Sequence, residues 1–297
     1  MRPIRILAAG SQVHGVSAEP PPLKSAMQAT LGTSVRRIGR FVQLALIGAA
    51  RCVDGRTLPE ATAIFVTSGR GDLDVALEAL IPLCRDGRAP APFAFINTVG
   101  NSACFHVAKM FELSGRSQFV TSRYTPLETA LRLAALDMEE GAVTTALCGS
   151  TEIATAPLAE HRERIGVPAD TPVGEASHWF LLAAGDAPGP ALGRLRSVRA
   201  FIDDRALGLY LERERFDPGS TAIASGQHLG SDRFEMLRSA AGSPRVFDYR
   251  GDLPWYDSQT GAGIHRFLTE PVARTLLHVD GDPSGRCTLL VVDAGPI

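Results

Sequence analysis

The chain is poor in lysine: only Lys24 and Lys109 occur among 30 basic residues, so arginine carries nearly all the positive charge. It has no charge imbalance either, since 30 basic against 32 acidic side chains leave a formal net charge of −2. That balance gives no general attraction to nucleic acid or to an anionic membrane. Cysteine is sparse. Cys52, Cys84, Cys104, Cys148 and Cys287 are scattered without a CxxC pair, which speaks against a metal or dithiol site and fits reduced thiols in a cytoplasm. No run approaches the ~18–20 apolar residues that cross a bilayer. The start, Met1 to Gly10, lacks a long apolar h-region and runs into polar Gln12, His14 and Glu19, so no signal peptide is expected.

What is present is an ordinary soluble composition. Hydrophobic residues make up 45% of 297 positions, enough for one large domain or two packed halves. Short β-rich runs predict strands over 4–9, 63–67, 118–121, 144–148, 177–184, 193–201, 220–224, 245–249 and 288–293. Helical spacing predicts helices over 39–53, 74–84, 101–113, 126–140, 232–240 and 265–277. Gly141 stands where a left-handed residue closes the fourth of these. The segment from Gly185 to Gly193, with Pro188 and Pro190, reads as a crossing between halves. Strands alternating with helices, and apolar through their length, argue for a layered α/β protein.

From Pro92 to Glu152 the sequence resembles β-ketoacyl-acyl-carrier-protein synthases of the thiolase superfamily. The matching pieces are Asn101-Ser102-Ala103, then Leu113-Ser114-Gly115-Arg116-Ser117, then Phe119 to Thr125, Gly141, and Cys148-Gly149-Ser150-Thr151-Glu152. Their order and spacing run without a gap from Asn101 to Glu152. Arg40-Phe41-Val42-Gln43-Leu44-Ala45 is similar to the family's early Arg-Phe-x-Gln-x-Ala helix. Pro172 to Ala176, Ser258-Gln259-Thr260-Gly261 and Asp280 to Gly285 follow in the family's order. The resemblance implies a thiolase fold, layered αβαβα, in two pseudo-repeated halves (1–187 and 188–297), trimmed relative to full-length ketosynthases.

The resemblance also shows what is missing. A condensing synthase uses a thiolate at a helix N-terminus, where the dipole favours the anion. The register puts Tyr124 there, a phenol of pKa ~10 and a poor acyl acceptor, beside Arg123. The first histidine position falls within Ala224-Ser225-Gly226-Gln227, with His228 displaced beyond it. In the second loop the lysine position is Asp257 and the histidine position Ala262, with His265 one helical turn further on. Asp232 and Glu235 match acidic residues after the first histidine loop.

Other reactive side chains have plainer readings. Cys104 and Cys148 read as buried small hydrophobes, His106 as a packing residue, and Ser122 as a helix cap rather than a nucleophile. Gly69 and Gly71 read as a turn, because no GxxxxGK[ST] follows.

Three functions remain open. The first is a non-catalytic chain-length-factor-type subunit that pairs with an active ketosynthase. It would pair through the strand Phe119, Val120, Thr121 and shape an acyl tunnel with Phe105, Met110 and Phe111. The trimmed size resembles chain-length factors of polyene-type pigments, without fixing a polyketide or fatty acyl product. The second is an acyltransferase or condensing enzyme of altered chemistry using Ser122, Tyr124 or His228/His265. The third is a binding module for an acidic carrier, met by Arg36, Arg37 and Arg40. The resemblance implies no directly bound cofactor or metal, and a phosphopantetheine-linked acyl carrier protein in the complex.

Overall fold

One strand topology occurs twice in the chain. In a computed structural model, which describes residues 3–17, 20–33, 35, 38–92, 95, 98–185 and 190–295, the first half holds β1 (Ile4–Val16), β2 (Ala63–Ser68), β3 (Ser117–Thr121), β4 (Thr145–Glu152) and β5 (Val173–Ala184). The second holds β6 (Gly193–Phe201), β7 (Thr221–Ser225), β8 (Arg245–Val246), β9 (Thr275–Gly281) and β10 (Cys287–Ala294). The sheet order is β3-β2-β4-β5-β1-β6-β10-β9-β7-β8. From the centre outward, each half therefore runs first, fifth, fourth, second, third. The pairing senses repeat too: the second strand is parallel to the third and fourth, and the fifth is antiparallel to the first and fourth. The halves join where β1 meets β6, with Ile4 opposite Leu195.

The helices make three layers around the two half-sheets. They are α1 (Lys24–Leu31), α2 (Arg40–Val53), α3 (Leu73–Asp86), α4 (Ser102–Met110), α5 (Pro126–Glu139), α6 (Leu158–Ile165), α7 (Asp204–Glu214), α8 (Ser231–Ala240) and α9 (Thr260–Thr269). Phe41, Leu44 and Ile47 of α2 share one core with Val107 of α4 and with Ile64 and Trp179 of the first half-sheet. Leu207 of α7 and Leu237 of α8 share another with Ile223 and Leu289 of the second. Between the half-sheets lie α5 and α9, whose Leu127, Leu131, Ile264 and Phe267 pack with Phe65, Phe180, Leu276 and Leu290 from both halves. The layers are αβαβα, as the resemblance implies.

The central helix α5 forms for reasons visible in its residues. Pro126 occupies its first turn, where a missing N–H costs nothing. Leu127, Ala130, Leu131, Ala134 and Met138 recur every three or four residues and are all buried. Gly141, at φ 78°, turns the chain after it. Replacing Leu127 by Ala would remove a side chain with no exposure and cost about 2–5 kcal/mol.

Several expectations need correction. The first strand does not end at Ala9 but continues to Val16, paired with β5 throughout. His14 bonds Glu175 and Ser11 bonds His178 across the sheet. The strand expected over 177–184 starts earlier, at Val173, and so takes in most of Pro172 to Ala176. The helix expected over 265–277 is α9, which starts earlier at Thr260 and ends at Thr269. Pro271 cannot continue it, and Thr275–Gly281 is the fully buried strand β9. The expected strand over 245–249 shrinks to Arg245–Val246. Helices α6 and α7 were not anticipated. The expected boundary at residues 187 and 188, Pro188, Arg36 and Arg37 lie outside the described residues.

Candidate functional site

The carboxyl ends of parallel strands are where α/β sheets place their ligands. Here the ends of β2, β4, β7 and β9, the turn from β3 into α5, and the loop before α9 converge. Glu152, at the end of β4, is buried and accepts from Ser68 Oγ and Gly69 N, both at 2.9 Å. Burial first, then the charge of Asp257, holds its carboxyl well above the usual range. Arg70 Nε lies 3.1 Å from Asp257 Oδ2, tying the β2 turn of the first half to the loop of the second. Burial nonetheless raises Asp257 to about 6. Gly69 must be glycine here, because a Cβ would stand 2.4 Å from that of Asp257.

Asp257 thus stands where the resemblance calls for a lysine, and Arg70 brings a cation to it from the other half. No local pattern signals this pairing, because Arg70 lies 187 residues away. The space bounded by Arg70, Glu152, Trp255 and Asp257 closes to about 10 Å3, at the threshold for one water.

Tyr124 lies in the turn between β3 and α5. Its ring meets the His228 ring edge-on at a centroid distance of 5.2 Å, and His228 meets Trp255 at 6.2 Å. The Arg123 guanidinium stands 5.5 Å from the Tyr124 ring centre. The backbone N–H groups of His228 and Gly281 both donate to Asp280 Oδ1. Burial, reinforced by Glu128, pushes the Asp280 carboxyl well up. A Cβ on Gly226 would lie 2.0 Å from Asp280 Cγ, so this turn also requires glycine. Burial, then Arg70 and Arg123, lowers His228 to about 4. It is neutral at pH 7.

Beneath this layer lies a second buried polar group. Thr260 Oγ1 donates to Glu128 Oε1 at 2.7 Å, and Tyr249 Oη is 2.8 Å from His278 Nε2. Glu128 Oε2 and His278 Nδ1 have no partner. Burial raises Glu128 to about 7 and lowers His278 to about 3. Glu128, Trp255 and Arg70 are the members of the site the sequence reading missed; only Trp255, just ahead of the Ser258-Gln259-Thr260-Gly261 stretch, offered a signal.

The remaining expected residues fall as follows. Ser122 is not the cap of α5; Thr125 is the capping residue, and Ser122 Oγ accepts from Thr129 Oγ1 at 3.2 Å. Ser225 Oγ donates to the Gly226 carbonyl. Ala262 and His265 sit half-buried on α9. No hydrogen bond or ring contact joins His228 to His265 among the described residues. Phe105 is 62% exposed on α4, whereas Met110, Phe111 and Phe119 pack partly against the outer core. Phe119 meets Phe41 edge-on at 5.9 Å. Val120 is half-buried and Thr121 exposed, on a strand whose only sheet neighbour among the described residues is β2.

Arg40 is not a surface contact. It donates from Nε to both carboxylate oxygens of buried Glu175, at 2.7 and 2.9 Å. All five cysteines are free. Cys104 and Cys148 are buried, as expected of small hydrophobes, and burial raises Cys104 to about 12 and Cys148 further. None lies in the turn that leads into α5.

No family model matches the chain, and no curated protein matches it. Solved structures match over its whole length. A type II polyketide acyl-carrier protein in complex with its ketosynthase bound to the hexaketide (AntDE:AntF) gives a TM-score of 0.76 at 14% identity, covering 99% of both chains. The ishigamide ketosynthase/chain length factor gives 0.76 at 18% identity, covering 99% of this chain and 100% of that one. A β-ketoacyl synthase from Burkholderia phymatum gives 0.71 at 13%, with full coverage of both. The chain has the thiolase fold in its ketosynthase form.

Proposed function

We propose that this chain is a non-catalytic, ketosynthase-like subunit of the chain-length-factor type, working beside an active β-ketoacyl synthase in polyketide or fatty-acid-type synthesis. The observation that carries the reading is the run of rings Tyr124–His228–Trp255 at the start of α5. Where a synthase needs a thiolate and two imidazoles around an open channel, this chain has a phenol, one neutral imidazole and an indole. On the Trp255 side of this run the space is reduced to about 10 Å3. The ketosynthase and ketosynthase/chain length factor folds among its structural neighbours support the same reading.

In such a subunit the reactive groups are dispensable and the edge is not. β3 ends the sheet with one side unpaired, and an unpaired edge is a template for another strand. Apolar side chains surround it: Phe105 is exposed, and Phe119 and Val120 are half-buried. The partner's strand would complete the sheet there, with Phe105, Met110 and Phe111 bordering its acyl tunnel. The substrate would arrive on a phosphopantetheine-linked acyl carrier protein. No helix among the described residues is long and apolar enough to cross a membrane; we place the complex in the cytoplasm.

The deciding experiment is co-expression with a candidate ketosynthase that carries the catalytic cysteine, followed by purification and product analysis. A stable complex whose product length changes when Phe105 or Met110 is replaced is the expected result. A monomer indifferent to every synthase, or one that takes up acyl groups by itself in intact-mass measurements, would overturn the reading.

A further inference from the structure

Two carboxyl groups straddle Gly69 at the joint between the halves. On one side the Gly69 N–H donates to Glu152 Oε1 of the first half at 2.9 Å. On the other, the place a Cβ would take lies 2.5 Å from Asp257 Oδ2 of the second half. No hydrogen bond joins the two carboxyl groups among the described residues. Both line the cavity of about 10 Å3, together with Arg70, His161 and Tyr256. That volume is about one water-sized sphere.

The surrounding hydrogen bonds leave particular atoms open. Ser68 Oγ accepts from the N–H groups of Arg70 and Gly71, so its own hydrogen goes to Glu152 Oε2 at 2.9 Å. Arg70 Nε donates to Asp257 Oδ2 at 3.1 Å. Asp257 Oδ1 has no partner, on a side chain only 4% exposed. A buried carboxylate oxygen without a donor is costly, so this position calls for one.

Charge sets the number of protons. Two buried acids face one guanidinium, that of Arg70. Arg123 acts on Asp257 without a hydrogen bond to it. Burial lowers His161 and His228 to about 4, so both are neutral at pH 7. The Tyr256 hydroxyl is taken by His178 Nε2 at 3.1 Å. A single proton on the acid pair therefore balances Arg70. It belongs on Glu152, because Asp257 holds the cation. Glu152 then has an O–H to give, and Asp257 Oδ1 has lone pairs to receive a hydrogen bond.

We propose that the cavity binds one water molecule, which accepts the Glu152 O–H, donates to Asp257 Oδ1 and latches the two halves together. The latch stands where the resemblance calls for a lysine. The Nη groups of Arg70, which have no hydrogen bond among the described residues, supply a third partner, the usual number for a buried water. A metal ion fits the position less well: the Arg70 cation already stands there, and no group of three His, Cys, Asp or Glu among the described residues could hold one. The site does not depend on pairing with a synthase.

A neutron structure of the full chain in deuterated crystals is the test, because it places the hydrogens that X-rays at ordinary resolution leave unseen. One water is expected within ~3 Å of both Glu152 and Asp257 Oδ1, with deuterium on the Glu152 carboxyl. Glu152→Gln keeps a donor of the same shape and is expected to keep the water. Its infrared difference spectrum against the parent should show the loss of one protonated-carboxyl C=O band. Glu152→Leu, which has no donor, is expected to lose the water.

A dry cavity in the parent overturns the proposal, as does a cation in the water's place or a direct Glu152–Asp257 hydrogen bond. Deuterium on Asp257 instead of Glu152, or no change in the C=O region, overturns it too. Where Glu152→Leu does not fold, the parent structure and the Glu152→Gln spectrum still decide. Failure to pair with a synthase leaves every one of these readouts in place, so this proposal and the pairing one fail separately.

Discussion

The ring of Tyr124 stands at 88° to the ring of His228, edge to face, with centroids 5.2 Å apart. The two residues come from opposite halves of the chain and close the site between them. On the proposed reading, this contact occupies the position where the resemblance implies a nucleophile.

It follows that a cysteine restored at this position will not restore an enzyme. The Tyr124→Cys variant is expected to remain unacylated by an acyl thioester, because His228 is the single imidazole in contact with the position and the lysine site is Asp257. The variant should also lose about 1–3 kcal/mol, the worth of a ring packed against two neighbours. Intact-protein mass spectrometry and thermal unfolding check the two parts; a stoichiometric acyl adduct would refute the first.

The edge strand makes a second prediction. Phe105 is exposed in the isolated chain, so Phe105→Glu should change its own stability by less than about 0.5 kcal/mol. An aromatic anchor at an interface commonly carries at least ~2 kcal/mol, so pairing with the synthase should weaken about 30-fold or more. Analytical ultracentrifugation of the mixture reads this directly.

The pair of Arg40 and Glu175 gives a third. Glu175 is buried against His14, Arg40 and the N–H of Ala154. These hydrogen bonds hold its pKa below the ordinary value against the opposing effect of burial. Arg40→Ala leaves that carboxylate without its cation and should cost about 3 kcal/mol, the scale for breaking a buried pair from one side. Denaturant unfolding is the measurement, and a loss below ~1 kcal/mol would contradict the assignment.

pH separates Glu128 from the rest. Burial raises its carboxyl from 4.5 to about 7. Between those values the folded state holds a proton that the unfolded chain has released, so this group's contribution to stability declines as pH rises through the window. Glu128→Gln removes that decline and retains an acceptor for Thr260. The variant should gain stability relative to the parent from pH 4.5 to 7, and no further above it. A relative stability that is flat, or that falls, across that window would show Glu128 to be ionised throughout.

The sequence showed more of the architecture than of the site. The central helix α5 was legible because Leu127, Ala130, Leu131 and Ala134 keep a helical period and Gly141 stops it. The strand Thr275–Gly281 was not, because a short buried apolar run has no period that separates strand from helix. The stretch from Gln12 to Val16 looked like a loop because its backbone pairs with β5, and His14 finds Glu175 there, more than 150 residues away.

By itself, then, the sequence determined the layered α/β class and the central helix, since local spacing and residue type carry that information. Tertiary structure decided the rest: which ring Tyr124 meets, that Arg70 answers Asp257, and that Arg40 pairs with buried Glu175. Each of these is a contact between residues far apart in the chain, set by how two half-sheets close over α5 and α9, and no local pattern encodes it.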